Sequence, residues 1–423
     1  MKLSNIRTED FLEEGIEKTR LICDVECGFS DEKAVWFTVD REYKDWLCTD
    51  TYDAFLMAML MPVMYYNENL EIDGYVSRKV YINVLNYVIP SKHAYDPNTS
   101  IPKISVLGYK EPTKTGGGRI GLGFGGGVDS FTSLHDHYFQ PIDEENVVDT
   151  LCFFLTDNYG SALDPNSKVR ALAFFENTKS LAAELKMNAV FVDSTCIFKF
   201  HPKADEQYIW TEREQRIFIN GLWARIACAM AIQGGLKRFI MSSSSSYKDS
   251  LLYQCEMYKS GRLWLDEWSA IFVLPLLSNT SLEFVEDGEK YNSRTEKIER
   301  IINNPLVHKH IRVCSGAFDI GKDCGRCKKC KRFLLTIEIL GRLDEFKDHF
   351  DLDYYRKHMF AHKCTVVRLA YDTDDLFAQD LVELAKKYNY KMPSIWTARL
   401  YVLTHSIYIK LRLYKIKQWV MGK

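Results

Sequence analysis

The chain lacks an excess of either charge, a long apolar run and any internal repeat. Lys and Arg total 55 against 57 Asp and Glu, a formal net charge of −2. Bulk electrostatics therefore predict no nucleic-acid partner, whose phosphates would call for a basic surplus. No apolar stretch reaches the roughly 20 residues that a membrane helix needs, so no transmembrane segment is expected. The opening MKLSNIRTEDFLEEGIEK is polar and acidic and has no apolar core of a secretion signal. Low complexity is confined to Ser242–Ser246. Twelve cysteines without such a signal point to a reducing, cytoplasmic setting, where they serve as metal ligands or core residues. With 423 residues, 46% hydrophobic and 26% charged, the composition is that of an ordinary globular enzyme of two or three domains.

Two common phosphate motifs are also missing. No Gly-Lys-Ser/Thr closes a Walker loop, and no G-x-G-x-x-G is followed by an acidic residue at dinucleotide spacing. What stands in their place is GLGFGGGVDSF, residues 121 to 131. Arg119–Phe124 reads as a short buried strand, and Ser130 onward as a helix. A glycine turn between them brings several main-chain N–H groups into one concave nest at a helix N-terminus, where the dipole adds partial positive charge. The candidate nucleotide-binding residues are Phe124, Gly125, Gly126, Gly127, Val128, Asp129 and Ser130. Asp129 offers a carboxylate to order a metal, and Ser130 a hydroxyl. The plain alternative is a tight turn without a ligand.

Along the chain, residues 1–117 read as an N-terminal α/β domain. Strands are predicted at 33–39, 70–73 and 104–109 and helices at 51–66 and 76–88, the first with Phe55, Leu56, Met59 and Val63 on one stripe. EPTKTGGG, 111–118, reads as the joint. From 118 strands (120–124, 147–157, 188–193, 238–244) alternate with helices (130–138, 167–186, 213–235). That alternation predicts α/β architecture with a parallel, doubly wound sheet over 118–280 and ligands at the carboxyl ends of its strands. Thr156-Asp157 and the serine run, including Ser243 and Ser244, fall at such ends. Asp157 is a candidate for ribose, adenine or a base role, with burial as its rival. The serines read either as donors to a nucleotide or as a loose loop, with Lys248 and Asp249 just beyond.

Residues 281–345 contain Cys314, Cys324, Cys327 and Cys330 in the spacing C-x9-C-x2-C-x2-C. Four thiolates with a C-x2-C knuckle suit a tetrahedral, structural Zn²⁺ site. Gly325 permits the tight turn, and Lys322, Arg326, Lys328, Lys329, Lys331 and Arg332 balance the net negative charge of a zinc ion held by four thiolates. An iron–sulfur cluster is the rival. The remainder, 346–423, reads as a helical region. After Glu383 it has no acidic residue, and Ile409, Leu413, Ile416 and Val420 fall at helical spacing. A basic amphipathic helix there fits a membrane surface, an acidic partner or RNA, or docks on the body of the protein.

Gly125-Gly126-Gly127-Val128-Asp129-Ser130 resembles the S-G-G-x-D-S loop of the PP-loop ATP pyrophosphatases, matching at Gly126, Gly127, Asp129 and Ser130 and departing at Gly125, where the family has serine. A PP-loop followed by four such cysteines resembles 7-cyano-7-deazaguanine synthase over roughly residues 118 to 345. The resemblance implies ATP and Mg²⁺ at the glycine loop and Zn²⁺ at the four cysteines, in a larger, divergent relative of the kind found in bacterial defence or specialised-metabolite gene clusters. It implies adenylation of a carboxylate or carbonyl substrate with release of pyrophosphate, then amidation. Asp129 and Ser130 are the expected catalytic residues. Position 2 is Lys2, so the cysteine that begins a fused glutaminase is missing, and ammonia is expected from solvent or a partner protein. A homo-oligomer is compatible with this reading. Two rivals stand beside it. One is a nucleotide sensor that has lost turnover. The other is a thiolating enzyme, for which Cys196 is the candidate and Cys228 reads as core.

Overall fold

The computed structural model describes residues 1–113, 117–155, 165–194, 197–200, 211, 221–247, 266–314, 323–373 and 375–405. It has two compact units, Met1–Asn292 and Ser293–Lys423. No helix among the described residues is long and apolar enough to cross a membrane.

The first unit is α/β. Among the described residues ten strands form one sheet: β1 (Lys2–Glu13), β2 (Ile16–Glu26), β3 (Ala34–Asp40), β4 (Leu70–Val76), β5 (Ile104–Tyr109), β6 (Arg119–Gly123), β7 (Thr150–Leu155), β8 (Asn188–Ser194), β9 (Leu236–Ser242) and β10 (Glu283–Asp287). Their order is β10-β9-β6-β7-β8-β3-β2-β1-β4-β5. From β10 to β8 every pairing is parallel, as alternation of strands and helices requires. The sheet as a whole is mixed: β8–β3, β3–β2 and β2–β1 are antiparallel. Phe37 and Thr38 of β3 pair with Ser194 and Asp193 of β8, so the strands of residues 1–117 extend the same sheet instead of building one of their own. Residues 111–113, 117 and 118 lie inside this unit.

β1 and β2 form a hairpin absent from the sequence reading. Its turn is Glu14-Gly15, both with positive φ, 51° and 82°, the backbone that two-residue hairpins favour because it matches strand twist. β7 shows why the parallel block is buried on both faces. Cys152 and Phe154 point into one core, with α1 (Asp53–Tyr66), α6 (Gly221–Ala231) and α7 (Asp266–Leu277). Phe153 and Leu155 point into the other, with Ala171 and Phe175 of α5 (Pro165–Leu185). Helix α1 carries more than a stripe: Asp53 to Met64 are all buried, because the helix lies between sheet and α6. The charge this buries is held by polar partners. Asp53 accepts from Ser77 N–H at 2.8 Å and from the Ser77 hydroxyl, while Asn279 reaches it at 3.5 Å. Burial pushes the Asp53 carboxyl up.

The second unit is helical: α8 (Arg294–Ile301), α9 (Pro305–His310), α10 (Lys328–Ile339), α11 (Leu352–Asp372) and α12 (Leu376–Lys387), with a further helix over 395–405. Each of the five starts on a side chain that accepts a main-chain N–H: Ser293, Asn304, Cys327, Asp351 and Asp375. Leu335, Ile339, Cys364, Val367, Leu381 and Leu384 are in its core.

Candidate functional site

The four cysteines come together. Their sulfurs lie within 4.8 Å of one another: Cys314–Cys324 at 3.4 Å, Cys327–Cys330 at 3.4 Å, Cys324–Cys330 at 3.8 Å and Cys314–Cys327 at 3.8 Å. Four sulfurs about 2.3 Å from one ion in a tetrahedron stand roughly 3.8 Å apart, so the cluster could hold a metal ion such as zinc. All four cysteines are free of disulfides. Gly325 has φ 62°, the left-handed turn that a knuckle needs. The N–H groups of Arg326 and Cys327 point at the Cys324 sulfur, at 3.4 and 3.3 Å, and Cys330 N–H at the Cys327 sulfur, at 3.4 Å.

Asp323 supports this cluster and was not singled out in the sequence. It is buried, and its carboxylate accepts from Cys314 N–H at 2.8 Å and Val313 N–H at 3.3 Å. It thus ties the segment that brings Cys314 to the turn that begins at Cys324. Burial pushes its carboxyl up to about 6 despite the two donors. Such outer partners orient ligands and matter nearly as much as the ligands themselves.

The glycine turn is built as a strand–turn–helix. β6 ends at Gly123. Phe124 N–H bonds to Cys152 O at 2.8 Å, and the Phe124 ring packs edge-on against Phe131 at 5.1 Å. Phe124 is therefore a core side chain that anchors the turn. Gly126 has φ 73°, a conformation that L-residues adopt with strain. Gly127, at φ −80° and ψ 174°, caps α4 (Val128–Leu134), which continues as a π turn over His135–Phe139. Val128 is buried and Asp129 half-buried in the first turn. The Ser130 hydroxyl donates to Gly127 O at 3.1 Å. Gly125 is not in the left-handed region.

The ends of β9 and β10 lie on the same side of the sheet as this turn, because all three strands run parallel. The serine run is a fixed turn. Ser243 N–H bonds to Asp287 O at 2.8 Å, and Ser245 N–H to the Ser243 hydroxyl at 3.3 Å. Ser243 and Ser246 are buried, and Ser244 is half-buried.

A charged cluster ties α4 to β10. Ser133 donates to Asp287 at 2.7 Å, and Tyr291 donates to Asp136 at 2.6 Å. Lys290 lies 2.8 Å from Asp136 and 3.3 Å from Asp287. His137 Nε2 lies 3.3 Å from Asp287. Burial pushes the Asp287 carboxyl up, but His137, Ser133 and Lys290 outweigh it and hold the group well below the ordinary carboxylate range. Asp136 and Ser133 lie about 150 residues from Asp287 and Tyr291 in sequence, so no local pattern could announce them.

Of the other expected residues, Cys228 is buried on α6 as core. Thr156, Asp157, Cys196, Lys248, Asp249, Lys322 and the amphipathic stretch from Ile409 lie outside the described residues. No protein-family model, curated protein or solved structure matches the chain.

Proposed function

We propose that the chain is an ATP-dependent adenylating enzyme of the PP-loop kind, with a structural zinc at Cys314, Cys324, Cys327 and Cys330. The observation that carries the reading is Gly126. Its left-handed φ lies between a buried parallel strand and a helix start, a setting that suits convergence of successive main-chain N–H groups on an anion. The neighbouring serine turn supports it by adding main-chain and hydroxyl groups at the next strand end.

In this reading a substrate carboxylate oxygen attacks the α phosphorus of ATP. The bond from that phosphorus to the bridging oxygen breaks, and pyrophosphate leaves with the electron pair. Negative charge grows on the leaving group. Donors already fixed at Gly126, Gly127 and Val128 stabilise that charge without reorganising, which lowers the barrier. Mg²⁺ at Asp129 would balance phosphate charge. Ammonia then attacks the acyl carbon and loses a proton, AMP leaves, and an amide remains. The zinc cluster takes no part in these steps; it holds the second unit.

The test is pyrophosphate release from ATP with a panel of carboxylates, comparing the wild type with Asp129→Ala. Turnover should be lost in the variant at a cost in stability near ~1 kcal/mol, the value of a charge or cap at a helix start. Equal turnover in the two proteins would refute the assignment of Asp129.

A further inference from the structure

We propose that Glu289 is a ligand for the divalent cation that accompanies a nucleotide at these strand ends, an inference that rests on the nucleotide reading above. Glu289 lies two residues beyond β10, after Gly288, whose φ of 112° turns the chain. Its carbonyl accepts from Tyr247 N–H at 2.9 Å, and the Asp287 carbonyl from Ser243 N–H. The serine turn is thereby strapped along residues 287–289, which fixes the backbone of Glu289 at the carboxyl ends of β9 and β10.

The side chain is 3% exposed, and its Oε1 is buried without a hydrogen-bond partner. Buried carboxylates are paired, hydrogen-bonded or bound to metal. Lys290, the next residue in the chain, already faces Asp136 and Asp287. A second buried oxygen without a partner, the Ser242 hydroxyl, ends the adjoining strand. Ser242 is the register partner of Asp287, so the two side chains share one face of the sheet.

A triphosphate at these strand ends needs a counter-ion. Hard oxygen ligands, carboxylate above all, select Mg²⁺ or Mn²⁺. Glu289 supplies such an oxygen on the side of the sheet edge, while Asp129 stands at the helix start.

Mn²⁺ titration of the full-length, zinc-loaded protein, followed by loss of the free-ion paramagnetic resonance signal, tests the assignment. Glu289→Gln should weaken Mn²⁺ binding by about tenfold or more, with zinc content, unfolding and ATP binding without added divalent cation unchanged. Glu289→Asp keeps the charge and moves the oxygens back, and it provides the same test where the Gln variant folds poorly: weaker Mn²⁺ binding supports the site. Mn²⁺ affinity equal to wild type in a folded variant overturns it. Mn²⁺ binding that depends on Glu289 in a protein that binds no ATP would retain the cation site and remove the nucleotide reading instead.

Discussion

The cysteine cluster and the glycine turn are made of different parts of the chain. In the cluster, four side chains offer every ligand that an ion could take, and their sulfurs already stand near the spacing of a tetrahedron. In the turn, the side chains that matter are missing: Gly125, Gly126 and Gly127 leave the main chain bare, and Phe124 turns away into the core. A side-chain site breaks when one ligand atom is changed. A main-chain site keeps its donors through most substitutions and breaks when a Cβ is forced into it. The two regions therefore call for opposite kinds of test.

The largest effect is expected at the cluster. Structural zinc contributes on the order of 10 kcal/mol to folding in small modules. Cys327→Ser should lower bound zinc and the unfolding temperature of the second unit together, by metal analysis and calorimetry. About one iron per chain and no zinc in the purified protein would replace zinc with an iron site.

At the turn, Gly125→Ser is expected to act in the favourable direction. Gly125 is outside the left-handed region, so an L-residue fits its backbone. A hydroxyl donor to a charged leaving group is worth about 1.5–3 kcal/mol, or roughly ten- to a hundredfold in rate. Pyrophosphate release should rise by that order; a fall would show that the first position of the turn is already filled.

A smaller effect concerns the strap between α4 and β10. The Asp287 carboxyl is held below its unfolded value, so its ionisation stabilises the fold above the ordinary carboxylate range. That stabilisation is lost as pH falls through the folded value. Between about pH 5 and 3, the span in which an ordinary Asp takes up its proton, the wild type should therefore lose stability more steeply than Asp287→Asn. Parallel curves of unfolding against pH would remove Asp287 from the stability of this corner.

The same contrast explains what was legible. β5 reads at its observed bounds, 104–109, and the parallel strands read within a few residues, because each is a short apolar run between turn signals. The β1–β2 hairpin did not read. Polar residues are buried in β2 by pairing across the sheet, Lys18 with Asp40 and Thr19 with Asp10, and this masks the alternation; only Glu14-Gly15 signals it. β10 is five residues with acids at both ends. The zinc-type ligands were legible because their spacing is local. Asp323 beside them was not, since its partners are main-chain N–H groups about ten residues back. Asp287 and Glu289 depend on strands that meet only in the fold.

If the main chain around Gly126 encloses phosphate, ATP titration of Gly126→Val against the wild type shows it most directly. Val is β-branched and disfavours the left-handed backbone of this position by about 1–3 kcal/mol, and its side chain would enter the concavity. The wild type should bind ATP and the variant should lose that binding, with zinc content and unfolding of the second unit unchanged. Equal ATP affinity in the two proteins would contradict the account and leave residues 121 to 131 as a turn between strand and helix.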